Sequence, residues 1–245
     1  MRQLLVINPN TGQATTDRLQ SWMSSLLPKD VQLQCITARF GAPYIACEAS
    51  AAVAGHALLD AWAHHISHTD TPPDGVLIAC FGDPGLFALR ASSACPVSGL
   101  AEASFIQAST LGSFAIVTGG VHWPAMLHRL AQNLGFDQHL AGIEIVQETG
   151  AQLLADKDMA LRVLAQACER AAATGAKSII MGGAGLAGYA QDLQDRVALP
   201  LIDSVSAGLN LYLNQQMPVA VQAHNAFESA WSNLPEHMHL AVTKL

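Results

Sequence analysis

Short, almost unbroken apolar runs alternate along this chain with longer stretches whose apolar residues recur every three or four positions. The runs at 4–8 (LLVIN), 31–38, 75–82 (GVLIACFG), 114–119 (FAIVTG), 142–147, 177–183 (KSIIMGG) and 198–203 (ALPLID) have strand length. The stretches Ala49 to His68, Trp123 to Leu134, Asp156 to Thr174 and Leu186 to Val197 have helical periodicity. Strands that are apolar throughout must be covered on both faces, and their alternation with helices predicts parallel sheets in an α/β fold.

The pattern also repeats within the chain. LLVINPN corresponds to FAIVTGG, which sets Asn8 opposite Thr118; GVLIACFGDPGL corresponds to SIIMGGAGLAG, which sets Cys80 opposite Gly183; CPVSGLAEAS corresponds to LPLIDSVSAG, which sets Gly99 opposite Asp203. The expectation is two pseudosymmetric lobes about a pseudo-twofold axis, each a short parallel sheet flanked by helices. Lobe A takes 1–97 plus 206–245 and lobe B takes 98–205. The repeat also bears on GAGLAG at 183–188, whose spacing, with Asp203 ending the next apolar run, imitates a dinucleotide-binding loop. Such a loop follows the first strand of its domain, whereas this one follows a late strand, and its counterpart CFGDPG lacks the spacing. No cofactor is expected.

Composition narrows the classes. The chain is 51% hydrophobic and 13% charged, which implies a packed core rather than disorder and suggests a homo-oligomer that hides part of its apolar surface. Twelve basic against nineteen acidic residues give a net charge of −7 without long runs of either sign, so nucleic acid is not an expected partner. The opening MRQLLVINPN is too short in its apolar run for a signal-peptide core or a membrane span, and a cytoplasmic protein with no membrane partner is expected. The five cysteines form no C-x-x-C pair and read as free thiols, for which inert burial is the usual fate. Asp60, His64 and His68 share one helix face, with His65 beside them, a spacing metal sites use. Because that helix runs into the polar HTDTPPD, a solvated face is expected and no metal. His224, His237 and His239 fall in a poorly patterned C-terminus and receive no role.

Ligands of open parallel sheets bind beyond the carboxyl ends of the strands. Those ends carry Asn8-Pro9-Asn10-Thr11, Cys80-Phe81-Gly82-Asp83, Thr118-Gly119-Gly120 and Gly182-Gly183-Ala184, which in two facing lobes would converge on an active site in the cleft. Cys80 is the strongly nucleophilic, titratable side chain at these strand ends. Backbone N–H groups and a helix N-terminus can lower a thiol from its usual value of about 8.5. The thiolate can then take a proton from carbon beside a carbonyl, or attack as a nucleophile. His122, just beyond Thr118, is a candidate second acid/base. Asp83 is expected to orient the turn or cap the following helix.

The ordered set INPNT with the following ATT, CFGDPGL, PVSGLAEAS, FAIVTGG, GGAGLAG and PLIDSV resembles the aspartate, glutamate and hydantoin racemase superfamily, closest to its hydantoin and allantoin racemase branch, over essentially the whole chain. The resemblance implies a cofactor-independent isomerase in which two cysteines, one per lobe, flank the acidic carbon of a small ureide or carboxylate. By position it makes Cys80 the first catalytic cysteine and gives substrate-binding roles to Asn8, Phe81, Gly82, Thr118, Gly119, Gly183 and Ala184. Asn8 would support the thiol, Thr118 would offer a hydroxyl donor, and the N–H groups of Gly82, Gly119 and Gly183 would stabilise an enolate. The second cysteine falls on Gly183, and glycine supplies neither acid nor base. Arylmalonate decarboxylases of the same superfamily pair one cysteine with a glycine, so a one-cysteine lyase is the alternative, with the thiol here in the opposite lobe. A small-molecule binding protein that kept the cleft after losing racemisation is a third, remote reading.

Overall fold

The computed structural model describes residues 1–148, 150–219, 233 and 235–240. His224 and the side chain of His239 lie outside the described residues. The chain forms two units, Met1–Gly99 with Leu211–Leu245, and Leu100–Asn210.

The first unit runs β1 (Arg2–Asn8), α1 (Gln13–Leu26), β2 (Val31–Thr37), α2 (Glu48–Ser67), β3 (Gly75–Ile78), α3 (Leu86–Ala91) and β4 (Val97–Gly99). Its strands pair in parallel in the order β2-β1-β3-β4. The inner strands are those without polar alternation: Leu4 through Asn8 and Gly75 through Ile78 are buried throughout. Edge strand β2, VQLQCIT, carries the alternation and is half covered. The second unit runs α4 (Leu100–Ser109), β5 (Phe114–Gly119), α5 (Trp123–Leu134), β6 (Leu140–Val146), α6 (Gly150–Ala155), α7 (Lys157–Ala172), β7 (Ser178–Gly182), α8 (Tyr189–Leu193), β8 (Leu201–Asp203) and most of α9 (Ser204–Leu213), whose last three residues belong to the first. Its parallel order, β6-β5-β7-β8, is the same order one half-chain later. Val117, Ile179 and Met181 of this sheet pack against Leu161, Leu164 and Cys168 of α7. Each such leucine contributes about 1.5–3 kcal/mol by leaving water. A last helix, α10 (Glu236–Leu240), contacts α2.

Several elements differ from the periodicity. Strand β3 stops at Ile78 although its apolar run continues, so the chain has left the sheet before Cys80. The helix expected over Leu186 to Val197 is broken into a 3-10 turn, α8 and another 3-10 turn, because Gly188 takes φ +90° ahead of α8. Helix α4 is buried from Leu100 to Phe105 and so shows no polar face from which a helical period could be read.

Asp60 overturns the solvated-face expectation: it is 1% exposed and accepts hydrogen bonds from Arg39 Nε at 2.9 Å and Arg39 Nη2 at 2.7 Å. His237 Nε2 of α10 lies 2.7 Å from the same carboxylate, and His64 stacks on His68 with centroids 4.3 Å apart. Burial pushes the Asp60 carboxyl up, but the hydrogen bonds from Arg39 and His237 outweigh it and hold it below the ordinary carboxylate range. Among the described residues no group of three or more His, Cys, Asp or Glu is placed to hold a metal ion. No helix among them is long and apolar enough to cross a membrane.

Asp60→Asn is expected to cost about 1–3 kcal/mol at pH 7, less than a fully buried pair because the Arg39 guanidinium is half exposed. A folded-state value below the unfolded one of about 3.9 means that this contribution is present above about pH 4 and lost as pH falls further. Urea unfolding of both proteins at pH 7 and pH 3 checks it, with the difference between them shrinking at pH 3.

Candidate functional site

The turn after β1 is built around Asn8, which is 1% exposed. Its two amide protons are shared among Asn10 Oδ1 at 3.0 Å, Gly12 O at 3.2 Å and Thr16 Oγ1 at 3.0 Å, while its Oδ1 accepts from Asn10 N at 3.2 Å. Thr16 continues the network to Thr37 at 2.6 Å. Asn8 therefore shapes the β1–α1 turn in the way short amide side chains do. Both donor protons of Asn8 are thus committed within its own turn.

Beyond β3, Ala79 N makes the last sheet bond to Ile7 O at 2.9 Å, and the turn closes with Gly82 N and Asp83 N donating to Cys80 O at 3.0 and 3.1 Å. Cys80 and Phe81 are buried, 8% and 4% exposed. Asp83 at φ +46° and Gly85 at φ +79° swing the chain into α3, where Leu86 N meets Asp83 O at 3.1 Å. Gly85 is required there: a Cβ would lie 3.1 Å from the Cα and carbonyl oxygen of Gly55, where α2 crosses the turn. Burial pushes the Cys80 thiol up, and the Asp83 carboxylate adds in the same direction. The expected lowered thiol is thus reversed, because the turn's N–H groups point at the Cys80 carbonyl rather than at its sulfur. The Gly82 N–H is likewise unavailable to an enolate. Hydrogen bonds with Ser50 hold the thiol of Cys47, at the head of α2, below the ordinary range.

In the second unit Thr118 is buried, and its Oγ1 donates to Gly182 O at 2.8 Å, so the hydroxyl expected to serve a substrate as donor is in use. Gly183 donates its N–H to Ser204 Oγ at 3.2 Å, which removes a second expected enolate donor. Ser204 escaped the sequence reading, although its place just after a strand-ending aspartate is a helix-cap signal. Ala184 opens a 3-10 turn whose bonds are Leu186 N to Gly183 O and Ala187 N to Ala184 O, leaving the Ala184 N–H outside that ladder. Gly119 has little room, since a Cβ there would lie 3.2 Å from Glu148 O. His122 is exposed at the head of α5 and its ring does not cap the helix. Asp203 accepts from Gly188 N at 2.7 Å, Val205 N at 3.0 Å and Ser206 N at 2.8 Å. It clasps the glycine loop to the head of α9, which accounts for the carboxylate without a ribose.

Gly183 has φ +141° and ψ 140°, and a Cβ built on it would meet Leu186 Cγ alone, at 3.9 Å. There is room for a side chain, but the backbone conformation is one that L residues rarely adopt. Gly183→Ala is expected to lose about 1–3 kcal/mol with native circular dichroism retained, read as a lower denaturant midpoint.

The Asp/Glu/Hydantoin racemase family model matches residues 4–212. The chain is 32% identical over 207 residues to a hydantoin racemase of Paenarthrobacter aurescens, covering 84% of this chain and 87% of that protein. Among solved structures, an allantoin racemase from Klebsiella pneumoniae superposes with a TM-score of 0.85 at 27% identity, covering 97% of this chain and 99% of that one. An arylmalonate decarboxylase, at TM-score 0.60 and 16% identity over 86% of this chain and 91% of that one, shares the fold.

Proposed function

This chain belongs to the Asp/Glu/hydantoin racemase family, and from that membership we propose that it moves a proton at the carbon alpha to a carbonyl in a small ureide or carboxylate, with Cys80 as the acid and base. The observation that carries this is the placement of Cys80: a thiol on the turn where an inner strand leaves its sheet, fixed by two backbone hydrogen bonds and by the crossing of α2. In the forward step the Cys80 thiol first releases its proton to water; the thiolate then takes the proton of the C–H bond, whose electron pair moves to the carbonyl oxygen as an enolate. A water molecule then gives a proton to the opposite face of that carbon, and the Cys80 proton passes to the hydroxide left behind, which completes the isomerisation and restores the thiolate.

A second reading is favoured by Gly183, which supplies no partner acid or base. Burial and Asp83 keep Cys80 in its neutral form, which suits a proton donor. In a one-thiol lyase the C–CO2 bond of a malonate breaks, carbon dioxide leaves, and the enediolate takes its proton from the Cys80 S–H. The thiolate then recovers a proton from water. A family member that binds such molecules without turning them over is the third reading, and the same assay addresses it.

The assay offers the protein single-enantiomer hydantoins, allantoin and substituted malonates, following optical rotation and carbon dioxide release. Rotation decaying to zero without carbon dioxide supports the isomerase; carbon dioxide with an optically active product supports the lyase. Cys80→Ser is expected to lower turnover at least about 100-fold. Full turnover in that variant contradicts the assignment of Cys80 under either reading.

A further inference from the structure

Asp83 and Gly99 occupy, in the first unit, the places that Leu186 and Asp203 occupy in the second: the third residue after Cys80 or Gly183, and the last residue of the fourth strand. Gly85 and Gly188, both left-handed and both heading the next helix, fix this alignment. In the second unit the carboxylate grows from the strand end, and Asp203 holds the turn through Gly188 N at 2.7 Å. In the first unit residue 99 has no side chain. A Cβ built on Gly99 would overlap Cγ and Oδ1 of Asp83 and lie 2.7 Å from its Oδ2. Asp83 thus reaches across from the turn and sets its carboxylate where an aspartate at position 99 would begin. Leu186, its counterpart, is a buried apolar residue. The two units have exchanged which chain position supplies the carboxylate, and in the first the exchange requires φ +46° at Asp83, a conformation that aspartate adopts more readily than most residues.

Resting on the reading of Cys80 as the reacting thiol, we propose that Asp83 is the positioning residue of the Cys80 turn, its carboxylate locking the turn over Gly99 while its N–H holds the Cys80 carbonyl. Of the other titratable groups on the neighbouring elements, Glu48 of α2 is exposed, His64 and His65 of α2 are half-buried, Glu102 of α4 is a second buried carboxylate three residues beyond Gly99, and three more have partners of their own. Arg90 of α3 donates Nε and Nη2 to Val97 O at 3.2 and 2.8 Å, Asp60 of α2 is held by Arg39, and His56 of α2 lies against Phe40 with ring centroids 5.1 Å apart. Asp83 therefore does two things at once: it fixes where the thiol sits, and it reinforces burial in keeping that thiol protonated.

The test is the pH profile of iodoacetamide alkylation, read separately at each cysteine by peptide mass spectrometry, so that Cys47 serves as internal control. Asp83→Asn preserves shape and removes the charge; its Cys80 profile is expected to move to lower pH by roughly one unit, with Cys47 unmoved. Asp83→Gly combined with Gly99→Asp restores a carboxylate from the strand end, as in the second unit, and is expected to return the profile and the melting temperature toward wild type. Should Asp83→Asn fail to fold, the double variant carries the test by the same profile. An unchanged Cys80 profile in Asp83→Asn, or a double variant no closer to wild type than Asp83→Gly alone, overturns the proposal. No turnover is needed, so a Cys80 that does not catalyse would fail the Cys80→Ser assay and leave this result standing.

Discussion

Strands β1, β3, β5 and β7 are buried on both faces, and a backbone covered in that way can offer chemistry where it leaves the sheet and nowhere else. At each exit the freed N–H and carbonyl groups are still near the core, where an unsatisfied polar group costs about 1–3 kcal/mol. The polar residues at the strand ends answer that demand first. Asn8 holds its own turn, Thr118 bonds Gly182 O, Ser204 receives Gly183 N, and the Cys80 carbonyl receives two N–H groups. Side chains and amides that look like substrate donors in the sequence are thus largely the fastenings of the turns. The Cys80 sulfur stands outside these bonds, in a turn they make rigid, and rigidity of this kind is what a proton-transferring group requires.

The two units share a strand order and differ in the turns that follow β3 and β7. One turn carries a thiol and a carboxylate; the other carries a glycine in a conformation reserved for glycine, with a leucine where that carboxylate's residue would be. A neutral, buried Cys80 fits the giving of a proton at least as well as the taking of one.

Much of the fold was legible. Unbroken apolar runs located the inner strands, and Gly135 together with Pro124 bounded α5 where its periodicity placed it. Helix α4 was not legible, since burial on all sides erases amphipathic period, nor was the break at Gly188, which depends on a backbone angle. At the site, the position of Cys80 could be read from its strand, but its protonation could not, because that depends on where neighbouring N–H groups point. Asp60 was misread for a similar reason: Arg39 and His237, its partners, are remote in sequence and belong to no pattern that reveals pairing.

The central claim is that the Cys80 sulfur exchanges a proton with a substrate carbon. Its most direct measurement is the time course of deuterium at the acidic carbon of a single-enantiomer hydantoin in heavy water, for wild type and for Cys80→Ala, with exchange in enzyme-free solution subtracted. The account predicts catalysed uptake in the wild type that disappears in the variant. Catalysed uptake at the wild-type rate in Cys80→Ala would contradict it.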